Sequence, residues 1–244
     1  MQQELKMASN EITILSTRPV RAGARQIASK MGISIDEISF IETTPSLLPE
    51  VRTTISNMFD QVKTVAFTSM NAVEAVASCL NSTRPKWKIF CIGNTTRELV
   101  IKYFGEDSIT GIADDARTLA DVILSKSGGT NIVFFCGDRY RDELPQMLQL
   151  NNIPTEIIVV YHTDLLKHII SKEYNGILFF SPSAVQSFFS VNTINGSTVL
   201  FAIGNTTASE IKKYCNNTVI VGDSPGKDEL VNTMSSYFSN LKSI

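Results

Sequence analysis

The chain lacks any apolar run approaching the ~20 residues of a membrane-spanning helix. Its start, MQQELKMASN, lacks the basic-then-apolar order of an export signal. A soluble, cytoplasmic protein is expected. Cysteine is scarce: Cys79, Cys91, Cys136 and Cys215 are scattered, form no C-x-x-C pair, and three of them lie in or beside apolar runs. They read as small core residues rather than redox or metal groups. The two histidines, His162 and His168, stand six apart and no cysteine or carboxylate cluster joins them, so they do not share a helical face as a zinc pair does. No metal is expected. An excess of one charge is also missing, with 22 basic and 24 acidic residues interspersed and a net charge of −2. The basic clusters Arg84-Pro85-Lys86-Trp87-Lys88 and Lys212-Lys213 are short, which excludes nucleic-acid recognition by bulk charge. There is no G-x-G-x-x-G and no G-x-x-x-x-G-K-[ST] stretch, and the one G-x-S-x-G spacing is at Gly222 to Gly226. Dinucleotide and P-loop readings therefore lose their support, and the two histidines have no recognisable nucleophile partner for a hydrolase triad.

Repetition is what the chain does have. The segment IGNTT occurs at Ile92 to Thr96 and again at Ile203 to Thr207, each time after an apolar run and before a helix-like stretch. Ser69 and Ser181, Gly93 and Gly204, Gly111 and Gly222, and Leu119 and Leu230 keep offsets of 112, 111, 111 and 111. Near-constant spacing from Ser69 to Leu119 and from Ser181 to Leu230 indicates an internal duplication at domain scale. With 244 residues, 43% of them hydrophobic, the chain can bury the cores of two small domains. Residues 1 to 10, polar with a lone Met7, read as a loosely held start.

Short β-branched and apolar runs predict strands at 12–16, 38–42, 64–68, 88–92, 131–136, 156–161, 176–180 and 198–203, with weaker ones at 107–112 and 218–222. Helical patterns occupy about 22–31, 47–59, 70–80, 95–104, 115–126, 140–150, 164–172, 183–190, 206–215 and 226–239. Ile132-Val133-Phe134-Phe135 and Ile177-Leu178-Phe179-Phe180 are continuous rather than alternating, as central parallel strands are. The expected fold is α/β: two doubly wound parallel-sheet domains related by internal duplication.

Ligands of such sheets bind beyond the carboxyl ends of strands, and the repeated motifs fall there. Phe67-Thr68-Ser69 and Phe180-Ser181-Pro182-Ser183 end strands in hydroxyl residues where a helix begins, and in each IGNTT copy a glycine turn precedes asparagine and two threonines. Helix N-termini carry unpaired N–H groups and partial positive charge, so four of them suit a polyanion. Ser, Thr and Asn are also ordinary N-caps, which is the competing reading of each hydroxyl taken singly.

The order of Ser16-Thr17-Arg18-Pro19, Phe67-Thr68-Ser69 with Asn71-Ala72-Val73, Ile92 to Thr96, Gly137 with Arg141, Val160-Tyr161-His162-Thr163, Phe180 to Val185, and Ala202 to Thr207 resembles the uroporphyrinogen-III synthase family. The resemblance runs from about residue 12 to 234. It implies a lyase that takes the linear tetrapyrrole hydroxymethylbilane, removes water, inverts the last ring and closes the macrocycle, with no metal or organic cofactor. It further implies two α/β domains with a two-stranded connector and the active site in the cleft between them. Carried over here, the first domain is 1–37 with 165–244, the second is 46–153, and the connector is 38–45 and 154–164.

The resemblance assigns Tyr161 to a cleft tyrosine that assists departure of the hydroxyl; the plain alternative is a strand tyrosine. Thr95, Thr96, Thr206 and Thr207 match the turn that meets substrate, and Ser69 and Ser181 the hydroxyls after the paired strands. Arg18 and Arg141 match arginines suited to propionates, or are surface or loop-holding charges. Glu42, in the first connector, is expected to point away from a polyanion. The expected partner is a tetrapyrrole alone, with no nucleic acid and no membrane, bound by a monomer. The alternative is a non-catalytic two-domain binder of a polyanionic ligand, and a third reading is a regulatory domain of another tetrapyrrole enzyme.

Overall fold

The computed structural model describes residues 12–80, 84–222 and 226–241, and the start expected to be loosely held, residues 1–10, lies outside them. In chain order the elements are β1 (Ile12–Ser16), α1 (Ala22–Lys30), β2 (Ile33–Glu37), β3 (Ile41–Pro45), α2 (Pro49–Met58), β4 (Thr64–Phe67), α3 (Met70–Ala77), β5 (Lys88–Ile92), α4 (Asn94–Phe104), β6 (Ile109–Ala113) and α5 (Ala116–Lys126). Then come β7 (Ile132–Gly137), α6 (Glu143–Leu150), β8 (Thr155–Leu165), β9 (Gly176–Phe179), α7 (Pro182–Phe189), β10 (Val199–Ala202), α8 (Asn205–Ile211), β11 (Val219–Val221) and α9 (Lys227–Leu241).

The chain divides into two compact units, residues 1–42 with 165–244 and residues 43–164. The first holds a five-stranded sheet ordered β11-β10-β9-β1-β2, with its strands parallel. Counted along the chain within the unit this is the doubly wound order 2-1-3-4-5, whose switch point lies between β1 and β9. The other sheet is ordered β3-β8-β7-β4-β5-β6, parallel from β8 to β6. Here the winding reverses between β4 and β7. Pairing β1 with β7, β2 with β8, β9 with β4, β10 with β5 and β11 with β6 makes the two orders the same, with the chain entering each sheet at a different strand.

Why the runs form central strands is visible in their packing. In β7, Val133 and Phe135 face a core built with α2, α3 and α4, whereas Ile132, Phe134 and Cys136 face one built with α5 and α6. Both faces are covered, so a continuous apolar run is required rather than an alternating one. The first unit repeats this: Ile14 packs with α1 and α9, and Leu15 with α7 and α8. Each fully buried leucine, isoleucine or phenylalanine contributes about 1.5–3 kcal/mol.

Three sequence expectations change. The single strand expected at 38–42 is two strands, β2 and β3, which flank Phe40, fully buried and edge-on to Phe188 at 5.2 Å. The helix expected at 164–172 does not form. Its backbone is held by side chains instead: Ser187 donates to the Leu166 carbonyl at 2.7 Å, Asn192 Nδ2 to the His168 carbonyl at 2.8 Å, and the Ile170 N–H donates to Asn192 Oδ1 at 2.8 Å. Gly111 and Gly222, though 111 apart, are not equivalent in register. Gly111 sits inside β6 opposite Phe90, while the matching residue of β10, Phe201, faces Ile220.

Candidate functional site

At the switch point of the second unit, β4 runs out into Ser69, which caps α3 by accepting the Asn71 N–H at 3.2 Å. Beside it, the pairing of β7 with β8 slips after Cys136, so that Gly137 rather than a larger residue stands opposite Tyr161. The Tyr161 ring lies across the Gly137 α-carbon, and its hydroxyl donates to Ser69 Oγ at 3.1 Å. Burial first, and then the fields of Cys136 and Asp138, hold the phenol above its usual value of 10, although the bond to Ser69 offsets part of this. Near neutral pH Tyr161 is therefore a protonated hydrogen-bond donor. With its oxygen accepting twice, Ser69 keeps its own proton for a further acceptor.

The strand carrying Tyr161 is clamped just beyond it. The Asp138 N–H donates to the Tyr161 carbonyl at 3.0 Å, the Thr163 N–H to Asp138 Oδ1 at 2.9 Å, and Arg139 Nε to the Thr163 carbonyl at 3.2 Å. Asp138 Oδ2 lies 3.4 Å from His162 Nδ1. Asp138 and Arg139 were missed from sequence; the signal was a polar pair directly after a continuous apolar strand.

The two IGNTT turns differ from the two serine loops in a way that matters for binding. Ser69 and Ser181 cap their own helices, Ser181 accepting from the Ala184 N–H at 3.1 Å. The capping reading thus applies to both serines, and their two helix ends are partly satisfied. At α4 and α8 the N-caps are Gly93 and Gly204, and no side chain caps either end. Thr96 and Thr207 are 7% and 3% exposed, and neither hydroxyl has a hydrogen-bond partner among the described residues. Thr95 and Thr206 are exposed on the same helix starts. The expectation that both glycines serve a sharp turn holds only for Gly93, at φ 66, ψ 168; Gly204, at φ −173, is in extended backbone open to any residue.

In the first unit, Thr17 bridges β1 to β9 by donating its hydroxyl to the Leu178 carbonyl at 2.8 Å. This places Arg18 at the switch point, half buried, with its guanidinium carbon 5.8 Å from the centre of the Phe180 ring. Burial lowers its pKa, and no carboxylate among the described residues pairs with it. A guanidinium presents five N–H donors in a fork that matches a carboxylate. Arg141 is exposed just before α6, and Glu42 is exposed on β3. The structure thus brings Tyr161 to Ser69, and Arg18 to the Phe180-Ser181 loop. Among the described residues no group of three or more His, Cys, Asp or Glu is placed to hold a metal, and no helix is long and apolar enough to cross a membrane.

Residues 24–232 match the family model described as "Uroporphyrinogen-III synthase HemD". A uroporphyrinogen III synthase mutant from Thermus thermophilus superposes with a TM-score of 0.66 at 12% identity, covering 95% of this chain and 99% of its own. The uroporphyrinogen-III synthetase of Helicobacter pylori gives 0.61 at 17% identity, covering 93% and 99%. At such identities the likeness to these structures is one of fold. The family model spans most of the chain, and the chain belongs to the uroporphyrinogen-III synthase family.

Proposed function

We propose that the protein cyclises hydroxymethylbilane to uroporphyrinogen III in tetrapyrrole biosynthesis, with Tyr161 as the proton donor that assists loss of water. The observation that carries the residue assignment is the Tyr161 phenol, protonated, seated on Gly137 and aimed at Ser69 at the switch point of its sheet. In this reading the terminal C–O bond breaks as the phenol protonates the departing hydroxyl, and the lone pair of the pyrrole nitrogen stabilises the resulting azafulvene cation. The electrons are thus supplied by the substrate. Attack of the substituted carbon of the last ring gives a spiro intermediate, whose opening and reclosure inverts that ring. Since water leaves an electron-rich pyrrole readily, holding the bilane in the conformation that forms the spiro centre contributes most.

The substrate carries eight carboxylates, and the chain offers donors for them without a basic surface. In the first unit these are Arg18, Ser181, Thr206 and Thr207; in the second they are Ser69, Thr95, Thr96 and Arg141. What supports the reading is the pair of uncapped helix starts with unpartnered threonines at Thr96 and Thr207, and an arginine with no carboxylate beside it. The domains in this reading are 1–37 with 165–244 and 46–153, connected by 38–45 and 154–164. We further take the protein to act as a cytoplasmic monomer that binds no nucleic acid, its near-balanced charge supporting the last point.

The test is a coupled assay from porphobilinogen with a hydroxymethylbilane-producing deaminase, followed by oxidation and chromatographic separation of the uroporphyrin isomers. Isomer III is the expected product. Isomer I alone, from folded protein, overturns the catalytic reading and leaves a binder of the polyanion.

A further inference from the structure

We propose that Gly137 is a positioning residue for the reaction: its bare α-carbon is the seat of the Tyr161 ring and sets where the phenol points. The inference rests on the reading that Tyr161 is the proton donor. Two observations carry it. A β-carbon built at Gly137 lies 2.4 Å from Tyr161 Cζ, 2.5 Å from Cε2 and 2.8 Å from the hydroxyl oxygen. Yet Gly137 is not among the glycines with positive φ, so its backbone is open to any residue and conformation gives no reason for a glycine. The close approach of the ring is the remaining reason.

The seat is built by the sheet itself. The register slip between Cys136 and Gly137 brings Tyr161 opposite Gly137, and the Asp138 N–H pins the Tyr161 carbonyl at 3.0 Å. The tyrosine backbone therefore cannot follow a displaced ring. Carbon atoms pack at about 3.5–4.0 Å, so a methyl group at 137 must lift the ring by about 1 Å or more. A hydroxyl held at 3.1 Å from Ser69 Oγ then loses that partner.

Two four-member cycles test this. In the first, kcat and KM are measured for wild type, Gly137→Ala, Tyr161→Phe and the double variant, with the bilane generated in situ. Gly137→Ala is expected to lower kcat to about the Tyr161→Phe level with KM within about twofold, and the double variant to fall no further. Losses that multiply, or an unchanged kcat in Gly137→Ala, overturn the proposal. In the second, thermal melts compare Gly137→Ala in wild type and in Tyr161→Ala. The substitution should lower Tm in wild type and leave it level or raised where the ring is gone. An equal loss in both backgrounds sinks the seat. If wild type itself shows no turnover, the functional reading fails, while the melts still decide whether Gly137 is the seat of Tyr161.

Discussion

Thr207→Val separates a ligand-binding hydroxyl from a structural one, because the two roles predict opposite effects on stability. Thr207 is 3% exposed in the first turn of α8, and its hydroxyl has no partner among the described residues. Valine has the same branched shape. A buried hydroxyl without a hydrogen bond costs about 1–3 kcal/mol. The Thr207 oxygen is not among the fully sealed, unpaired buried atoms, so its penalty lies at or below the low end of that range. Replacing it should therefore change stability by about 0 to +1 kcal/mol, a rise in Tm of ~0–4 °C for a chain of this size. A hydrogen bond to a carboxylate contributes about 1.5–3 kcal/mol, so kcat/KM should fall by about 10- to 150-fold. Thermal melts and the isomer assay on one preparation read both quantities. The reasoning fails if Thr207→Val melts several degrees below wild type, or if its kcat/KM is unchanged. Thr96→Val, at 7% exposure in α4, is the matched test in the other unit.

Tyr161→Phe should lower kcat by about tenfold, below the usual range for general acids, since water leaves this substrate readily; a thousandfold loss by steady-state kinetics would instead make the phenol indispensable. Ser69→Ala and Ser181→Ala each remove a helix cap, about 1 kcal/mol, and should each lower Tm by ~2–4 °C, but only Ser69→Ala also removes the acceptor of Tyr161 and should change kcat. Burial, then the bond to Asp36 and its charge, push the Tyr174 phenol up to about 12; between 10, its ordinary value, and 12 the unfolded chain has released this proton and the folded one has not, so stability falls with pH there, and Tyr174→Phe should flatten the slope in alkaline denaturation curves. Gly93→Ala forces a side chain into φ 66, ψ 168, at a cost of about 1–3 kcal/mol, whereas Gly204→Ala, in extended backbone with open space around the added carbon, should melt with wild type and raise KM if substrate comes close to that turn.

Most of the fold was legible because both sheets are covered on both faces. Strands such as β7 and β9 must then be apolar throughout and helices such as α5 one-sided, which leaves a strong periodic trace. Where the reading failed, the deciding partner was remote in sequence. Leu165 to Ile170 carry apolar residues at helix-like spacing, but their backbone groups are taken by Ser187 and Asn192. β2 was missed because Asp36 and Glu37 make its end polar. Their carboxylates are held by Lys172 and Tyr174, and by Arg25, none of which is adjacent to them in the chain.

The candidate site was legible to the extent that it is repeated, and opaque where the units differ. Matching Ser69 with Ser181 pairs Ala66 with Leu178, and strand register then pairs Phe134 with Ser16, because Ala66 faces Phe134 and Leu178 faces Ser16. Two residues further on, Arg18 takes the place of Cys136, and Pro19 that of Gly137. One unit thus presents a cation at its switch point, and the other a glycine that admits a tyrosine ring. Serine caps recur in both because every helix start has the same unsatisfied N–H groups. In the proposed reading the arginine and the glycine do not recur because a carboxylate and a departing hydroxyl ask for different groups. Repetition in the sequence therefore located both loops, while the difference between the residues they carry emerged only with the register.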